Sequence, residues 1–414
     1  MDLYGLLGNP LSHSCSPAIH RMLGEYSYAL WETPPEDLET FLRTAPFRGC
    51  NVTVPYKKAV LPYLDGLSPL ARSLGSVNTI LRRADGSLYG DNTDCAGFRH
   101  LLEQSGFAPA GRKVLVLGSG GASVTVQAVL QELCALPVVI SRSGPDQYWN
   151  LDRHRDAAYL VNTTPVGMYP GNGASPLSLA AFPALEGIID LIYNPARTAL
   201  LMEAEQFGIP AVNGFPMLTA QAYYSSRLWG VTDRGPDCIA PLTEAISRAQ
   251  QNLILIGMPG SGKSTAARRL GEALGRPVHD SDREFEQAEG LSPELFIRRF
   301  GEPAFREKET AILRRLGALS GAVIATGGGA VTRPENYALL HQNGLLIWLR
   351  RDPEDLDISA KPLFHRPDLA ALYFERKPLY EAFADVTVDG DPAPERILKQ
   401  CHGGDCPLPA LSHI

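Results

Sequence analysis

The sequence predicts an α/β protein with a Rossmann-like dinucleotide domain in its first half and a P-loop domain with a parallel sheet in its last third. The chain has 414 residues, which is too long for one average core and enough for two or three α/β units. Short apolar runs alternate with helical patterns along its length, as in doubly wound sheets. Two of these runs end in glycine-rich turns that a helical stretch follows, at residues 118–123 and 257–264.

The first glycine-rich turn belongs to a predicted βαβ unit. The apolar run at residues 114–117 predicts a buried parallel strand, and a helical stretch at 124–133 and a second run at 138–140 complete the unit. The turn departs from strict G-x-G-x-x-G because Ser123 takes the third small position. The alternation continues with strand-like runs at residues 159–162 and 187–193.

The residues after the second strand of this unit predict which dinucleotide binds. Where an NAD site would place Asp or Glu, the sequence has Arg142 between two serines, which suits the 2′-phosphate of NADP. A capped turn with a solvated arginine is the alternative. The residues predicted to bind NADPH are Gly118, Gly120, Gly121, Ala122, Ser141, Arg142 and Ser143.

The second glycine-rich turn, G-M-P-G-S-G-K-S, satisfies the P-loop pattern G-x-x-x-x-G-K-[ST]. An apolar run at residues 253–256 precedes it and a helical stretch at 265–274 follows, which is the context that the pattern requires. In such a loop the backbone N–H groups converge on phosphate oxygens, Lys263 reaches the β- and γ-phosphates of ATP, and the Ser264 hydroxyl ligates Mg²⁺. The last third of the chain is therefore predicted to be a small-molecule kinase. Its predicted ATP-binding residues are Gly260, Ser261, Gly262, Lys263, Ser264 and Thr265.

Two further elements of this domain are candidate ligand sites. Asp280 and Asp282 stand at i and i+2, and on an extended segment their carboxylates would point the same way, toward Mg²⁺ or a nucleophilic hydroxyl. A solvated turn is the alternative. The triplet Gly327, Gly328 and Gly329, which follows an apolar run, offers a backbone surface that a ligand can approach closely, or else forms a flexible turn.

With these elements the last third of the chain resembles the shikimate kinase family. The motifs stand in the family's order: the P-loop, residues 280–282 (D-S-D), 300–306 (F-G-E-P-A-F-R) with Glu309, the glycine triplet and 375–380 (E-R-K-P-L-Y). The resemblance implies that Lys263 and Asp282 are catalytic, with Asp282 binding the substrate hydroxyl as its candidate base. It also implies that Arg306 and Arg376 hold the substrate carboxylate, and that Asp280 with Ser264 organises Mg²⁺.

One departure concerns the segment that forms a mobile lid in that family. Where the family usually has Arg-Pro-Leu, this chain reads Lys361-Pro362-Leu363, and the preceding segment is short. Lysine supplies charge without the planar fork of arginine. The lid is therefore expected to contribute less to stabilisation of the transition state.

The first 245 or so residues resemble the shikimate dehydrogenase family. Six motifs appear in order: residues 11–17 (L-S-H-S-C-S-P), 51–57 (N-V-T-V-P-Y-K), 76–79 (S-V-N-T), 90–94 (G-D-N-T-D), 162–168 (N-T-T-P-V-G-M) and 217–221 (M-L-T-A-Q). The resemblance implies that Lys57 and Asp94 form the catalytic pair, with Asp94 also contacting substrate. It implies further that the substrate carboxylate binds to Ser14 and Ser16 and the hydroxyl face to Thr53, Asn78 and Gln221. Without the family, Lys57 would pass as a solvated loop lysine and Asp94 as a turn residue.

This part of the chain also departs from its family. Cys95 occupies a position that is commonly glycine, and residues 144–156 form a shorter stretch than usual. The short stretch predicts that one element of the dinucleotide domain is missing. The expected consequence is a changed outer wall of the cofactor pocket.

The two resemblances together imply five segments. A dehydrogenase substrate domain is expected at residues 1–100, completed by C-terminal helices at about 214–247, with an NADP-binding domain at 101–213. The kinase domain is expected at residues 251–402, followed by a tail at 403–414.

The implied activity is bifunctional. The first part would reduce 3-dehydroshikimate to shikimate with NADPH, and the second would phosphorylate shikimate to shikimate 3-phosphate with ATP and Mg²⁺. One alternative is an NAD-linked quinate/shikimate dehydrogenase fused to a kinase for another small molecule, against which Arg142 argues. Another is a protein that senses nucleotide and shikimate, against which the intact Lys263, Ser264 and Asp282 argue.

Composition narrows the partners and the compartment. A net charge of -7 and a pI near 5.8 argue against a nucleic acid or an anionic membrane as partner. The sequence contains no apolar run of eighteen residues, and no signal peptide is recognised, so a cytoplasmic location is expected. Seven scattered cysteines without a CxxC pair indicate reduced thiols. Homo-oligomerisation remains open.

Overall fold

The computed structural model describes residues 3–11, 14–356, 366–390 and 392–402. Ser12 and His13 of the first dehydrogenase motif, Lys361 to Leu363 of the predicted lid and the tail from residue 403 lie outside the described residues. Within the described part, one compact unit comprises residues 14–193 and 200–246 together with residues 3–11, and a second comprises residues 194–199 and those from 247 onward.

The chain alternates strands and helices throughout. In chain order, the strands up to residue 250 are β1 (Leu3–Gly8), β2 (Ser27–Glu32), β3 (Phe47–Val52), β4 (Gly66–Leu67), β5 (Thr79–Arg82), β6 (Leu88–Asp91), β7 (Lys113–Leu117), β8 (Leu136–Ile140), β9 (Tyr159–Asn162), β10 (Gly187–Asp190) and β11 (Ala211–Val212). The helices of this stretch are α1 (Ser16–Leu23), α2 (Leu38–Thr44), α3 (Pro69–Leu74), α4 (Asp94–Ser105), α5 (Gly121–Glu132), α6 (Ala199–Phe207), α7 (Phe215–Trp229) and α8 (Ile239–Gln250).

The remaining strands are β12 (Asn252–Ile256), β13 (Val278–Asp280), β14 (Val323–Ala325), β15 (Gly344–Arg350) and β16 (Val386–Asp389). The remaining helices are α9 (Lys263–Leu274), α10 (Ser281–Glu289), α11 (Pro293–Phe300), α12 (Glu302–Gly317), α13 (Glu335–His341), α14 (Arg366–Phe383) and α15 (Pro394–His402). None of the helices in the described part of the chain is long and apolar enough to cross a membrane.

The first sheet is mixed and has the strand order β2-β1-β3-β5-β6-β4. Strands β1 to β3 pair in parallel, whereas β5 runs antiparallel to both β3 and β6. Helix α7 packs closely against this sheet, because a Cβ atom at Gly49 would lie only 2.5 Å from the Trp229 indole. The Trp229 indole N–H also donates to the carbonyl of Ile80 at 3.2 Å, which fixes the helix on the sheet. Helix α7 thus packs on a sheet whose strands come from the first hundred residues, more than a hundred positions earlier in the chain.

The second sheet is wholly parallel, in the order β11-β10-β9-β7-β8, which is the doubly wound arrangement that the sequence predicts. Its central strands read as continuous apolar runs because helices cover both faces. Strand β10 ends at Asp190, three residues before the predicted end of its run. Between β8 and β9 the chain forms only a 3₁₀ turn at Leu151–His154.

The third sheet is also parallel, in the order β13-β14-β12-β15-β16. The P-loop connects the central strand β12 to α9, so it lies at the carboxyl edge of the sheet. The neighbouring strand β14 ends just before the glycine triplet, at the same edge. The predicted α/β fold with parallel sheets is thus confirmed.

Candidate active sites

The first candidate site is built around an ion pair between Lys57 and Asp94. The Lys57 ammonium lies 2.7 Å from the Asp94 Oδ2 atom, although the two residues are separated by 37 positions. The Lys57 side chain is one quarter exposed, whereas that of Asp94 is 9% exposed. Lys57 is therefore not the solvated loop lysine of the alternative interpretation: its charge is held by a largely buried carboxylate, with one side still open to a ligand.

Asn78 holds the other oxygen of that carboxylate. Its Nδ2 atom donates to Asp94 Oδ1 at 2.9 Å, and its Oδ1 atom accepts the Thr93 backbone N–H at 2.7 Å. Asn92 accepts the backbone N–H of Asp94 at 3.1 Å. Each carboxylate oxygen of Asp94 thus accepts a hydrogen bond, which fixes the orientation of the carboxylate beside the Lys57 ammonium.

The remaining predicted substrate contacts lie in different segments of the same unit. Ser14 accepts the backbone N–H of Ser16 at 3.2 Å, just where α1 begins. The Thr53 backbone N–H donates to the Leu7 carbonyl at 2.9 Å, at the end of β1. Gln221 lies on α7 beside α4, because a Cβ atom at Gly97 would come within 3.1 Å of the Gln221 Cβ.

A buried network that the sequence did not predict joins these elements. The Tyr28 hydroxyl donates to Asn51 Oδ1 at 2.8 Å, and Asn51 Nδ2 donates to the Ser225 hydroxyl at 2.9 Å. Ser225 lies one turn after Gln221 on α7, and its hydroxyl is 3.3 Å from that of Thr93. Asn51 and Thr93 stand inside the quoted motifs, but no sequence signal marks Tyr28 or Ser225.

His20 supports this network from the core. Its ring stacks on Tyr28 with centroids 3.9 Å apart, and its Nδ1 atom lies 2.7 Å from the Tyr26 hydroxyl. Full burial lowers the pKa of His20 from 6.5 to about 3, so the imidazole is neutral at physiological pH. Its place is structural rather than catalytic.

The glycine turn after β7 has the shape that a diphosphate requires. Gly118 has a φ of 102°, and a Cβ atom there would lie 2.9 Å from both Thr163 and Thr164. At Gly120 and Gly121 an added Cβ would meet no described atom within 4 Å, so the turn has open space above the start of α5. Ala122 follows in the first turn of this helix. The turn therefore fits a dinucleotide, whose diphosphate is held by helix N-terminal N–H groups in such folds.

The segment after β8 carries the predicted 2′-phosphate site. Arg142 and Ser143 are exposed, whereas Ser141 is buried. The Ser141 backbone N–H donates to the Asp146 carbonyl at 3.2 Å, and the Ser141 hydroxyl donates to the Ser143 carbonyl. The guanidinium of Arg142 is thus presented from an ordered turn.

The second candidate site includes the P-loop between β12 and α9. Gly257, Gly260 and Gly262 have φ values of 145°, 82° and 89°, which favour glycine. The Lys263 ammonium donates to the carbonyls of Gly257 and Met258 at 2.8 and 2.9 Å, so the loop wraps around it. The loop fits a nucleotide triphosphate.

Several polar groups of the P-loop remain available to phosphate or metal. Ser264 and Thr265 are exposed in the first turn of α9, at its N-terminal end. The hydroxyl of Ser261 is buried and has no hydrogen-bond partner in the described part of the chain. Among the described residues, no group of three His, Cys, Asp or Glu side chains could hold a metal ion. Mg²⁺ at Ser264 and Asp280 would therefore depend on phosphate oxygens for further ligands, as is usual for this ion.

The expectation that Asp280 and Asp282 share one face of an extended segment is wrong. Strand β13 ends at Asp280, and α10 begins at the next residue. Asp280 Oδ1 caps this helix by accepting the backbone N–H groups of Asp282 and Arg283 at 3.1 and 3.4 Å. The cap satisfies N–H groups that a helix start leaves unpaired, and it turns Asp282 away from the strand direction.

Asp282 instead faces the glycine triplet. A Cβ atom at Gly327 would lie 2.9 Å from Asp282 Oδ1 and 2.6 Å from Glu309 Oε1. The Gly327 backbone N–H donates to the Ser281 hydroxyl at 2.8 Å, which ties the triplet to the start of α10. The triplet is therefore a defined surface rather than a flexible turn.

Both predicted carboxylate-binding arginines flank this triplet. The Arg376 guanidinium donates to the Gly328 carbonyl at 3.0 Å, and a Cβ atom at Gly329 would collide with the Arg306 guanidinium. Arg306 also donates to Glu302 at 2.8 Å and to Glu309 at 2.6 Å. The buried Nε atom of Arg376 has no hydrogen-bond partner among the described residues, so it is a donor that an incoming anion could engage.

Glu309 is a site residue that sequence reasoning named without giving it a role. It is 3% exposed, and burial raises its pKa while Arg306 opposes that shift. Its Oε1 atom has no hydrogen-bond partner within the described ranges. Its appearance three positions after Arg306 on α12 is the signal that could have marked it, because residues at i and i+3 are neighbours on a helix.

Comparisons with known proteins cover both halves of the chain. The family model of shikimate kinase matches residues 259–402, and that of the shikimate dehydrogenase substrate binding domain matches residues 6–80. The NADP(+) shikimate dehydrogenase of Halothermothrix orenii is 38% identical over 283 residues, which are 59% of this chain and 96% of the relative. An NADP(+) shikimate dehydrogenase of Thermus thermophilus is 38% identical over 244 residues, which cover 55% of this chain and 91% of the relative.

Two solved structures show the same similarity. Shikimate 5-dehydrogenase from Thermus thermophilus, in complex with NADP(H) and shikimate, is 36% identical, with a TM-score of 0.52 over 59% of this chain and all of that chain. A chorismate mutase/shikimate 5-dehydrogenase fusion protein from Clostridium acetobutylicum is 32% identical. Its TM-score is 0.56, over 59% of this chain and 97% of that chain.

Proposed function

The chain belongs to the shikimate dehydrogenase family and carries a shikimate kinase domain at its C-terminal end, and from this premise we propose how its residues perform two reactions. The protein is a bifunctional oxidoreductase and phosphotransferase of the shikimate pathway. The first unit reduces 3-dehydroshikimate to shikimate with NADPH. The second transfers the γ-phosphoryl group of ATP to the 3-hydroxyl of shikimate.

In the first unit, Lys57 is the proton donor. NADPH, when bound, supplies the hydride that reduces the carbonyl carbon. The Lys57 ammonium then stabilises and protonates the oxygen, while Asp94 at 2.7 Å holds the ammonium in place. Asn78 keeps the Asp94 carboxylate in that orientation through Oδ1. The product is the hydroxyl group of shikimate.

The substrate is held around this pair by short polar side chains. Ser14 and Ser16 bind its carboxylate at the start of α1, where N–H groups of the helix add a positive dipole end. Its hydroxyl groups are bound by Thr53 just after β3, Asn78 just before β5 and Gln221 on α7. These contacts orient the ring carbonyl toward Lys57 and the nicotinamide.

In the second unit, Asp282 binds the 3-hydroxyl group of shikimate, which the first reaction creates. It accepts the hydrogen bond of the 3-hydroxyl and orients its oxygen toward the γ-phosphorus, as the catalytic-loop aspartate does in protein kinases. Arg306 and Arg376 bind the substrate carboxylate, and the Nε donor of Arg376 is available for this among the described groups. Lys263 stabilises the charge that develops on the transferred phosphoryl group.

ATP and Mg²⁺ would bind at the P-loop. The positive-φ glycines leave backbone N–H groups for the phosphates, and Ser264 at the N-terminus of α9 supplies a hydroxyl ligand for Mg²⁺. Asp280 would contribute to the metal environment through the carboxylate oxygen that does not cap α10. NADP, in contrast, is the cofactor named for the similar dehydrogenases, and Arg142 would hold its 2′-phosphate.

The observation that carries the proposal is the Lys57–Asp94 ion pair in a chain that also has an intact P-loop. Two separate assays on the full chain test it. One follows NADPH oxidation with 3-dehydroshikimate, and the other follows ADP formation with shikimate, ATP and Mg²⁺. Absence of NADPH oxidation would remove the first assignment, and ADP formation that does not depend on shikimate would remove the second.

A further inference from the structure

Trp149 is an exposed aromatic residue in the loop that follows β8. It is 75% exposed, whereas Trp229 and Trp348 are 7% and 1% exposed. A single exposed apolar residue is common on protein surfaces, so what Trp149 could do depends on the residues around it. Trp149 follows β8 by nine residues, in the short stretch that the sequence analysis marked as unusual.

The loop that carries Trp149 is held in one shape by its own hydrogen bonds. The indole N–H donates to Gln147 Oε1 at 3.0 Å, and Gln147 Nε2 donates to the Gly144 carbonyl at 2.8 Å. Asn150 Nδ2 donates to the Pro145 carbonyl at 3.0 Å. The indole is thereby tethered at its edge, and its large exposed fraction shows that the ring remains accessible.

The same loop folds back beside Arg142. The backbone N–H of Ser141 donates to the Asp146 carbonyl, so the chain returns to the end of β8 before it reaches Trp149. The Arg142 charge acts on the Tyr148 phenol, where it opposes the rise in pKa that burial causes. The hydrogen bond between Ser141 and Asp146 thus keeps the first part of the loop beside Arg142.

Strand β8 lies next to β7, so the loop after β8 borders the glycine turn after β7 at the carboxyl edge of the sheet. Dinucleotides bind at this edge in parallel α/β sheets, with the adenosine part over the strand that follows the first βα unit. The 2′-phosphate that Arg142 would bind is attached to the ribose that carries the adenine. The adenine is therefore expected within reach of the loop at residues 144–150.

We propose that Trp149 stacks on the adenine ring of NADP(H) and forms the outer wall of the adenosine site. The proposal rests on the assignment of the 2′-phosphate to Arg142. In that position the indole would supply a wall of the cofactor pocket, although the connection between β8 and β9 has only a 3₁₀ turn. An indole suits this task because every base offers a π-face, and stacking on an aromatic ring needs no hydrogen-bond pattern.

The test measures binding of adenosine 2′,5′-bisphosphate to the full chain by calorimetry, with MgADP present to occupy the P-loop. This probe has the adenine and 2′-phosphate but no nicotinamide, so the readout is independent of turnover. Trp149→Ala is expected to weaken binding about 5- to 150-fold, which is the range for loss of one stacked base. Trp149→Phe retains an aromatic face and is expected to stay within about threefold of the wild type.

Phe207→Ala is the matched control. Phe207 is 54% exposed at the end of α6, which leads into β11 and so lies toward the opposite edge of the same sheet. Wild-type affinity in Trp149→Ala, or an equal loss in Phe207→Ala, would overturn the proposal. Arg142→Ala distinguishes the 2′-phosphate assignment from the stacking proposal. If Arg142→Ala weakens binding and Trp149→Ala does not, the cofactor assignment stands and only the stacking is wrong.

Discussion

Replacement of Asp94 by asparagine is the sharpest perturbation of the first site, because it changes charge and donor pattern but hardly changes shape. Oδ2 of Asp94 accepts from Lys57 at 2.7 Å, and Oδ1 accepts from Asn78 at 2.9 Å. An amide has only one acceptor oxygen. In Asp94→Asn the NH₂ group must therefore face either Lys57 or Asn78, so one donor meets another donor.

The expected loss of dehydrogenase activity in Asp94→Asn follows from the hydrogen bond to the carboxylate that is lost. A hydrogen bond to a charged group contributes about 1.5–3 kcal/mol, and every 1.36 kcal/mol of transition-state stabilisation is a factor of about ten in rate. We therefore expect kcat/KM for reduction of 3-dehydroshikimate to fall about 10- to 150-fold in Asp94→Asn. The measurement is the initial rate of NADPH oxidation at several substrate concentrations.

The chain provides its own controls for this experiment. Shikimate-dependent ADP formation by the same Asp94→Asn preparation should be unchanged, which shows that the protein is folded and quantified correctly. Asp85→Asn, which removes an exposed carboxylate between β5 and β6, should leave both activities unchanged. A dehydrogenase rate in Asp94→Asn within about twofold of the wild type would refute the assigned role of the ion pair.

Three further predictions concern the kinase site and the core. In Lys263→Ala, ADP formation should fall at least a hundredfold while NADPH oxidation is retained; equal phosphorylation in variant and wild type would favour a sensor over a kinase. In Gly329→Ala the new Cβ would displace the Arg306 guanidinium, so KM for shikimate should rise about tenfold or more with little change in KM for ATP. The pKa of His20 is about 3 in the folded protein, against 6.5 in the unfolded chain, so acid protonates the unfolded chain first. The contribution of His20 to stability is therefore complete above pH 6.5 and is lost as the pH falls toward 3. The free energy of unfolding of the first unit, measured by thermal unfolding, should therefore fall by about 1.4 kcal/mol for each pH unit between pH 6 and 4. In His20→Gln this free energy should fall less steeply with pH.

Apolar runs and glycine-rich turns in the sequence were sufficient to predict the parallel sheets and the turns that follow their strands. The run at residues 159–162 coincides with β9, because its first three residues are buried and have aromatic or branched apolar side chains, which favour a strand. The P-loop was equally accessible, since its glycines are required by positive φ values that a short pattern encodes. Such features depend on residues that are adjacent in the chain.

Features that depend on distant residues were not accessible in this way. Ser225 contacts Asn51 across 174 positions, and nothing in the sequence of α7 distinguishes its hydroxyl from that of a surface serine. Asp280 caps α10 instead of sharing a strand face with Asp282, because its carboxylate satisfies two backbone N–H groups at the helix start. Side-chain capping competes with extended structure, and an Asp-x-Asp pattern does not report which prevails.

The central claim is that one chain performs both reactions in sequence, and an isotope experiment tests it most directly. The full chain is supplied with 3-dehydroshikimate, 4,4-dideuterated NADPH, ATP and Mg²⁺, without added shikimate, and the products are analysed by mass spectrometry. We predict shikimate 3-phosphate that carries a single deuterium, together with ADP. Deuterated shikimate without its phosphate, or no deuterated product at all, would contradict the account.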